Sequence, residues 1–228
     1  MKMSYPSVAP RAPEISFDKA PAHDTCRPEF PAFSLKKFFR RFLFKSLLQA
    51  RARRLAPKII DSLHECSSML DLGCGDMILT EFLQHHSPLQ VTAVDTVDTN
   101  LSSMPVILYD GNRIPFPENT FDATVVAYML HHCNNIEAIL HEIKRVTCRK
   151  IIVMEEVFES KFAEKVLHLH DNGNKFLSTK MKIPLNFMKI QQWHETFNAL
   201  DLKVEQCTRI YQYPWVNITH QVLFELRV

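Results

Sequence analysis

The chain has 228 residues, of which 46% are hydrophobic and 23% are charged. This apolar content suffices for one sizeable core, so a single domain is expected. The net charge of +2 hides an asymmetry, because residues 30–60 hold nine Lys and Arg side chains and no Asp or Glu. Residues 61–228 hold 14 basic and 21 acidic side chains, a net charge of −7. An acidic main domain argues against a nucleic-acid groove there.

The six cysteines are scattered and form no CxxC pair. That spacing indicates neither a zinc site nor a disulfide framework, and we predict no metal and reduced thiols. No run of about 18 apolar residues is present to span a membrane. The first residues lack the apolar stretch of a signal peptide. We therefore expect a cytoplasmic protein.

Residues 1–33 contain six prolines and little periodicity, which predicts a disordered or loosely packed tail. Residues 34–56 follow as a basic amphipathic helix, with an apolar stripe from Leu35 to Leu43. We favour the interpretation that this helix packs over a ligand cleft with its basic side in water. The alternative is contact with an anionic membrane surface through residues 35–54. A further short helix is predicted to begin at Pro57.

The stretch SSMLDLGCGD, residues 67–76, predicts a strand that passes through glycines into a helix. Two of the four glycines of the chain, Gly73 and Gly75, lie here. Such a turn lets the backbone approach a nucleotide-like ligand. On its own the pattern also fits an ordinary tight turn, and the following strands decide between the two interpretations.

Each of the next two predicted strands ends in an acid. Residues 91–94 lead into Asp95, about 20 residues beyond the glycines, where an acid reaches a ribose diol in open α/β folds. Residues 106–109 lead into Asp110. Fewer than a dozen residues separate Asp95 from the strand at 106–109, too few for a crossover helix. Several elements are predicted to follow: strands at 121–128, 150–154, 202–210 and 220–227, helices at 134–146, 162–170 and 189–200, and a turn at 171–174.

The motifs DLGCG, AVD and YDGNRIPFPENTFDATVVAYMLHHC together resemble the class I S-adenosylmethionine-dependent methyltransferases. Within that superfamily they are most similar to the ubiquinone and menaquinone C-methyltransferase branch, over about residues 55–228. The resemblance implies an α/β, Rossmann-like fold with a seven-stranded, mostly parallel sheet, an antiparallel last strand and helices on both faces. It implies one methyltransferase domain over 34–228, with a substrate cap at 155–184.

The resemblance implies that S-adenosylmethionine is the cofactor and S-adenosylhomocysteine the product. Asp71 would orient the ammonium group of the methionine moiety, Asp95 would accept the ribose hydroxyls, and Asp110 would accept from the adenine amino group. The remaining predicted cofactor residues flank these acids. They are Gly73, Cys74, Gly75, Thr96, Gly111, Asn112 and Tyr128.

Methyl transfer from a sulfonium needs alignment and exclusion of water, and a base only where the acceptor loses a proton. His131 and His132 follow the fourth strand and are the candidate catalytic residues. We favour a role for one of them in binding the acceptor over general-base catalysis. Glu155 and Glu156, at the end of the fifth strand, are weaker candidates.

Two positions depart from the family pattern. Met77 replaces the third glycine, and Thr147-Cys148-Arg149 replaces the usual Pro-Gly-Gly before the fifth strand. Both fit a divergent member. The predicted function is methyl transfer to a small molecule, with a lipophilic or aromatic acceptor favoured by the phenylalanine-rich helix. The alternatives are a non-catalytic binding partner with this fold and a protein or RNA methyltransferase.

Overall fold

The computed structural model describes residues 35–178, 184–210 and 220–228, with side chains over 45–169 and over the last two ranges. The predicted tail at 1–33 lies outside the described residues. Helices and strands alternate along most of the described chain. They are α1 Leu35–Ser62, β1 Ser68–Leu72, α2 Ile78–His86, β2 Gln90–Asp95, β3 Ile107–Leu108, β4 Phe121–Ala127, α3 Ile136–Val146, β5 Thr147–Val157, α4 Lys161–Ser178, α5 Ile190–Ala199, β6 Lys203–Ile210 and β7 His220–Arg227.

The seven strands form one sheet in the order β3-β2-β1-β4-β5-β7-β6. The strands β1 to β5 pair in parallel, whereas β7 runs antiparallel to both of its neighbours, β5 and β6. The predicted mostly parallel sheet with a reversed last strand is therefore confirmed. The strand order reverses between β1 and β4, and ligands of open α/β sheets bind beyond the carboxyl ends of strands at such a point.

Helices cover both faces of this sheet, as predicted. Successive residues of a strand point to opposite faces. Met69 accordingly packs in a cluster with residues of α1 and α2, such as Leu55 and Leu83. Its neighbour Leu70 packs on the other side with residues of α3 and α5, such as Leu140 and Trp193. The two clusters pack β1 and α2, the elements on either side of the glycine turn, into the core.

The helix α1 is one continuous helix of 28 residues with Pro57 inside it. The prediction that one helix ends at residue 56 and another begins at Pro57 is wrong. A proline inside a helix costs about 3 kcal/mol. Pro57 is exposed, whereas Leu55, Ala56 and Ile59 are buried on the sheet. Burial of Leu55 and Ile59 contributes about 1.5–3 kcal/mol each, which offsets that cost.

The link between β2 and β3 is a loop with bends, as its length predicts. Leu101 donates its N–H to the carbonyl oxygen of Asp76 at 3.0 Å and so anchors this link beside the glycine turn. The strand β3 is shorter than the predicted 106–109, because only Ile107 and Leu108 pair with β2. Both side chains are exposed at the edge of the sheet.

The strand β5 begins earlier than predicted, at Thr147, so the departure from the Pro-Gly-Gly pattern is part of a strand and not a loop. The buried Thr147 hydroxyl donates to the carbonyl oxygen of Ile143 at 2.6 Å and lies 2.5 Å from the hydroxyl of Thr124. These contacts fix the start of the strand without a glycine turn.

The helix α4 is longer than the predicted 162–170, and the predicted turn at 171–174 lies inside it. A glycine inside a helix costs only about 1 kcal/mol, so Gly173 does not end this one. The remaining elements begin and end within three residues of their predicted bounds. Among the helices of the described ranges, none is long and apolar enough to cross a membrane.

Candidate active site

The glycine turn between β1 and α2 has three residues with left-handed backbone: Gly73 with φ 74°, Gly75 with φ 54° and Met77 with φ 62°. The N–H of Gly73 donates to the carbonyl oxygen of Val94 at 2.8 Å, which ties the turn to β2. The structure thus keeps a glycine-like backbone at the third position of the motif although the residue is methionine. A left-handed backbone costs a non-glycine residue about 1–2 kcal/mol. The Met77 side chain is fully buried, and this packing offsets the strain.

The two glycines serve different purposes. A Cβ atom on Gly73 would lie 2.4 Å from Cγ of Met129. Gly73 and Met129 therefore pack too closely for a side chain at position 73. A Cβ on Gly75 would have no heavy atom within 4 Å, because it faces the open cleft. Gly73 is required by the fold, whereas Gly75 leaves space that a ligand can occupy.

We therefore expect Gly73→Ala and Gly75→Ala to differ. Gly73→Ala combines a left-handed backbone with a steric clash, and should lower the free energy of unfolding by about 3 kcal/mol. Gly75→Ala carries only the cost of the left-handed backbone, about 1–2 kcal/mol. Its methyl group should instead weaken cofactor binding at least tenfold. Chemical denaturation and calorimetric titration of both variants check this, and equal stabilities would contradict the distinction.

The glycine turn and α1 enclose a cleft of about 190 Å³. α1 supplies one wall, and the glycine turn, the end of β1 and the end of β4 supply the other. The lining residues are Leu48, Arg51, Ala52, Leu55, Asp71, Gly73, Cys74, Gly75, Asp76, Leu79, Ala127 and Tyr128. The part of α1 from Leu48 to Leu55 packs over this cleft, and one basic side chain of the helix, Arg51, lines it instead of facing only water. The stripe from Leu35 to Leu43 lies outside the described side chains.

Asp71 lies on the wall of the cleft and is 3% exposed. Its Oδ2 accepts a hydrogen bond from the Thr80 hydroxyl at 2.6 Å. Burial raises the pKa of Asp71 to about 6; the Thr80 hydrogen bond opposes this rise, and the charges of Asp95 and Asp76 add to it. The carboxylate is therefore ionised above pH 6 in a site that penalises its charge. Such a group favours a cationic ligand.

Asp95 is the last residue of β2 and lies beside the glycine turn. Its Oδ2 accepts from the Gly75 N–H at 2.8 Å, and its Oδ1 accepts from the Thr96 N–H at 2.6 Å and the Val97 N–H at 3.2 Å. The carboxylate is thereby fixed against the glycine turn. Each carboxylate oxygen has two lone pairs, so Asp95 keeps acceptor capacity for a hydroxyl.

The turn after β3 holds three further predicted cofactor residues, Asp110, Gly111 and Asn112. Asp110 Oδ1 accepts from the N–H groups of Asn112 at 2.9 Å and Arg113 at 3.2 Å, and these bonds lower the pKa of Asp110. Gly111 has φ 82°, and a Cβ there would lie 3.3 Å from the Thr96 methyl group. The turn therefore lies beside the end of β2. Residues 110–112 are exposed and do not line the cleft itself.

Tyr128 follows β4 with φ 57°, a strained backbone for a tyrosine. Its N–H donates to the carbonyl oxygen of Met154 at 2.7 Å, which holds that conformation. The guanidinium carbon of Arg51 lies 4.2 Å from the centre of the ring, a cation–π contact between α1 and β4. Burial raises the pKa of the Tyr128 hydroxyl, so it is neutral at physiological pH.

The two candidate catalytic histidines lie in a short 3-10 turn, Leu130–His132, just beyond Tyr128. Neither of them lines the cleft described above. His131 is buried, and its Nδ1 lies 2.6 Å from Oε2 of the fully buried Glu155. The other oxygen of Glu155 accepts from the Leu130 N–H at 2.8 Å. Glu155 is thus a partner of His131 and not a group of the cleft wall.

The histidines also contact the segment that follows α4. The His131 ring stacks on Phe187 with centroids 4.6 Å apart, and His132 Nδ1 lies 3.3 Å from the carbonyl oxygen of Pro184. Asn186 donates its N–H to the His131 carbonyl oxygen at 2.8 Å. The predicted catalytic turn therefore packs against residues 184–187, which begin at the last residue of the predicted cap, Pro184, and extend beyond it.

Several cleft residues were missed by the sequence reasoning. Four of them recur at helical spacing in α1: Leu48, Arg51, Ala52 and Leu55. The prediction placed the packing face of this helix on the stripe from Leu35 to Leu43 instead. Asp76, directly after the glycine turn, had no separate signal. Within the described ranges, no group of three or more His, Cys, Asp or Glu side chains is placed to hold a metal ion.

Comparison with known proteins finds the same resemblance as the motifs. Residues 70–153 match the family described as "Methyltransferase domain". The chain is 34% identical over 83 residues to a demethylmenaquinone methyltransferase of Corynebacterium urealyticum, covering 35% of this chain and 36% of that protein. It is 28% identical over 111 residues to the mitochondrial arginine-hydroxylase NDUFAF5 of Rattus norvegicus, covering 45% of this chain and 32% of that protein. The chain thus spans about a third of the length of these relatives.

A solved structure shares the fold. It is a geranyl diphosphate methyltransferase in complex with S-adenosylmethionine, with a TM-score of 0.57, 10% sequence identity and coverage of 78% of this chain and 84% of that chain. The predicted resemblance to class I S-adenosylmethionine-dependent methyltransferases and their Rossmann-like fold is confirmed.

Proposed function

We propose that this chain, which carries a methyltransferase domain in the class I fold, transfers the methyl group of S-adenosylmethionine to a small-molecule acceptor. The observation that carries the proposal is the cleft beside the glycine turn. It combines an ionised, buried Asp71 with an open space at Gly75 and a second carboxylate, Asp95, fixed behind it. A ligand with positive charge at one end and hydroxyl groups beyond it fits this order.

Each part of the cofactor has a residue that suits it. Asp71 would hold the ammonium group, and the glycine turn would leave room for the methionine chain. Asp95 would accept hydrogen bonds from the ribose, and the turn of Asp110, Gly111 and Asn112 would meet the adenine. When bound, S-adenosylmethionine supplies an electrophilic methyl group on a positively charged sulfur. The chain's own task is to align the acceptor and exclude water.

His131 and His132 are proposed to contact the acceptor or to shape its site. The Glu155 carboxylate holds Nδ1 of His131, which fixes the orientation of the ring. Phe187 and His168, whose rings lie 5.4 Å apart, extend this group toward α4. Aromatic rings here support a flat, apolar acceptor, and so does the name of the Corynebacterium relative. A base is required only if the accepting atom carries a proton.

A second candidate is methyl transfer to a protein side chain, because one relative, the arginine-hydroxylase NDUFAF5, is named for its action on arginine. The chain would then bind a polypeptide over the segment between β5 and α5. The predicted cytoplasmic location and the membrane contact through 35–54 stay predictions.

Methyl transfer tests the proposal directly. The protein is incubated with methyl-labelled S-adenosylmethionine and a panel of quinone-like and phenolic acceptors, and label is followed in the organic extract. Label in the extract together with formation of S-adenosylhomocysteine supports the proposal. Label that enters only precipitated protein from an added extract would favour the second candidate instead.

Asp95→Ala should weaken binding of S-adenosylmethionine about tenfold or more, because a hydrogen bond to a charged acceptor contributes about 1.5–3 kcal/mol. The fold should persist, since the freed N–H groups of Gly75, Thr96 and Val97 can reach water. Asp98→Ala is the matched control, because Asp98 is an exposed acid of the same loop that accepts the Asn100 N–H at 3.1 Å. Calorimetric titration compares the two, and equal affinities would defeat the assignment of Asp95.

A further inference from the structure

The cleft holds one basic side chain among its lining residues, Arg51 of α1. Two acids, Asp71 and Asp76, line the same cleft, and Asp95 lies behind Gly75. Burial raises the pKa of Asp76, and the Ile78 N–H, which donates to its Oδ1 at 2.9 Å, and the charge of Arg51 oppose this rise. A ligand here meets negative charge on the strand side and one positive charge on the helix side.

The position of Arg51 is set by the rotation of α1 and by the ring of Tyr128. Ala52 and Leu55, one and four residues further along α1, are buried against the domain, which fixes the rotation of the helix. The guanidinium lies over the Tyr128 ring at 4.2 Å, and Arg51 is an exposed residue that lines the cleft. Stacking on an aromatic face leaves the edge of a guanidinium free to bind an anion.

The methionine moiety of the proposed cofactor carries an ammonium and a carboxylate group on the same carbon atom. The acids of the cleft suit the ammonium group but repel the carboxylate, which needs a cation or several N–H donors nearby. We infer that Arg51 binds this carboxylate and so brings α1 onto the bound cofactor. The inference rests on the proposed function and adds a binding residue that the glycine motif does not contain.

A purely structural role for Arg51 predicts something different. If the guanidinium only holds α1 against Tyr128 and Asp76, its removal would loosen the cleft for every ligand alike. If it binds the carboxylate, its removal would affect only ligands that possess this group. The two roles therefore separate by comparing ligands rather than by comparing affinities for one ligand.

The experiment titrates the wild type, Arg51→Gln and Arg53→Gln with S-adenosylmethionine and with its decarboxylated form. Arg53 is exposed on the same helix outside this cleft and is the matched control. The wild type and Arg53→Gln should prefer the carboxylated compound by about tenfold or more, as expected for a charge-assisted pair. Arg51→Gln should lose that preference and bind the decarboxylated compound as the wild type does.

The outcomes distinguish this inference from the proposed function. An Arg51→Gln variant that keeps the preference, or loses affinity for both compounds equally, overturns the inference alone. A wild type that binds neither compound overturns the proposed function and this inference together. Arg51→Lys keeps the charge without the planar fork, so it should retain part of the preference, and thermal melts of all variants establish that they are folded.

Discussion

Asp71→Asn should make the ligand-free protein more stable above pH 6 and should weaken its binding of S-adenosylmethionine. The folded-state pKa of about 6 lies above the ordinary value of 3.8, so folding disfavours the charged form. Between about pH 4 and pH 6 the folded state binds more protons than the unfolded state, and stability falls as the pH rises. Above pH 6 that loss is complete.

The size of the effect follows from the same shift. A pKa rise of about two units corresponds to about 3 kcal/mol, so the neutral amide should gain about 2–3 kcal/mol in the free energy of unfolding at pH 7.5. The amide oxygen introduced by the substitution can still accept from the Thr80 hydroxyl. The gain should vanish below about pH 4, where the wild-type carboxyl is protonated in both states. Cofactor affinity should fall at least tenfold with the loss of the charge.

Denaturation at pH 7.5 and pH 4, with calorimetric titration at pH 7.5, measures both effects. Asp122→Asn is the control of opposite sign, because hydrogen bonds from Ser67 and Ser68 lower the pKa of Asp122. That substitution should destabilise the protein at pH 7.5. A less stable Asp71→Asn variant at pH 7.5 would contradict the account of the cleft as a site that holds negative charge for a cationic ligand.

Glu155→Ala should be the most damaging single change in the described part of the chain outside the glycine turn. It leaves the Leu130 N–H and Nδ1 of His131 without their acceptor in a site where Glu155 has no exposed surface. Removing one partner of a buried pair costs about 3–5 kcal/mol. Glu155→Gln retains one acceptor oxygen and should cost about 1–3 kcal/mol.

The neighbouring Glu156 provides the control. It is half-buried, and Gln221 donates to it across the sheet at 3.4 Å. Glu156→Ala should therefore cost less than about 1 kcal/mol. Urea denaturation of the three variants checks the order, and a Glu155→Ala variant as stable as Glu156→Ala would show that the pair does not support the turn of His131.

Much of the fold was predictable because its signals are local. The strand before Gly73, the left-handed turn and the acids Asp95 and Asp110 follow from residue types and spacing alone. Other features depend on tertiary packing. Pro57 stays inside a helix because its neighbours are buried, and the helix α4 passes through Gly173. Neither the continuous helix through Pro57 nor the length of α4 can be predicted from a short stretch of sequence.

The candidate site divides in the same way. The prediction of the glycine turn and its acids needed only one stretch of chain and the two strands that follow it. The partner of His131 is 24 residues away in another strand, and Arg51 reaches the cleft from a helix that precedes the motif. Contacts between separate elements are fixed by how those elements pack, so sequence spacing does not specify them.

Calorimetric titration of the purified protein, freed of any copurified ligand, with S-adenosylmethionine and S-adenosylhomocysteine tests the central claim most directly. We expect micromolar binding of both compounds, weakened at least tenfold in Gly75→Ala and Asp95→Ala and unchanged in Asp98→Ala. Absence of binding by the folded wild type would contradict that claim, and the chain would then be a protein with the methyltransferase fold that acts without this cofactor.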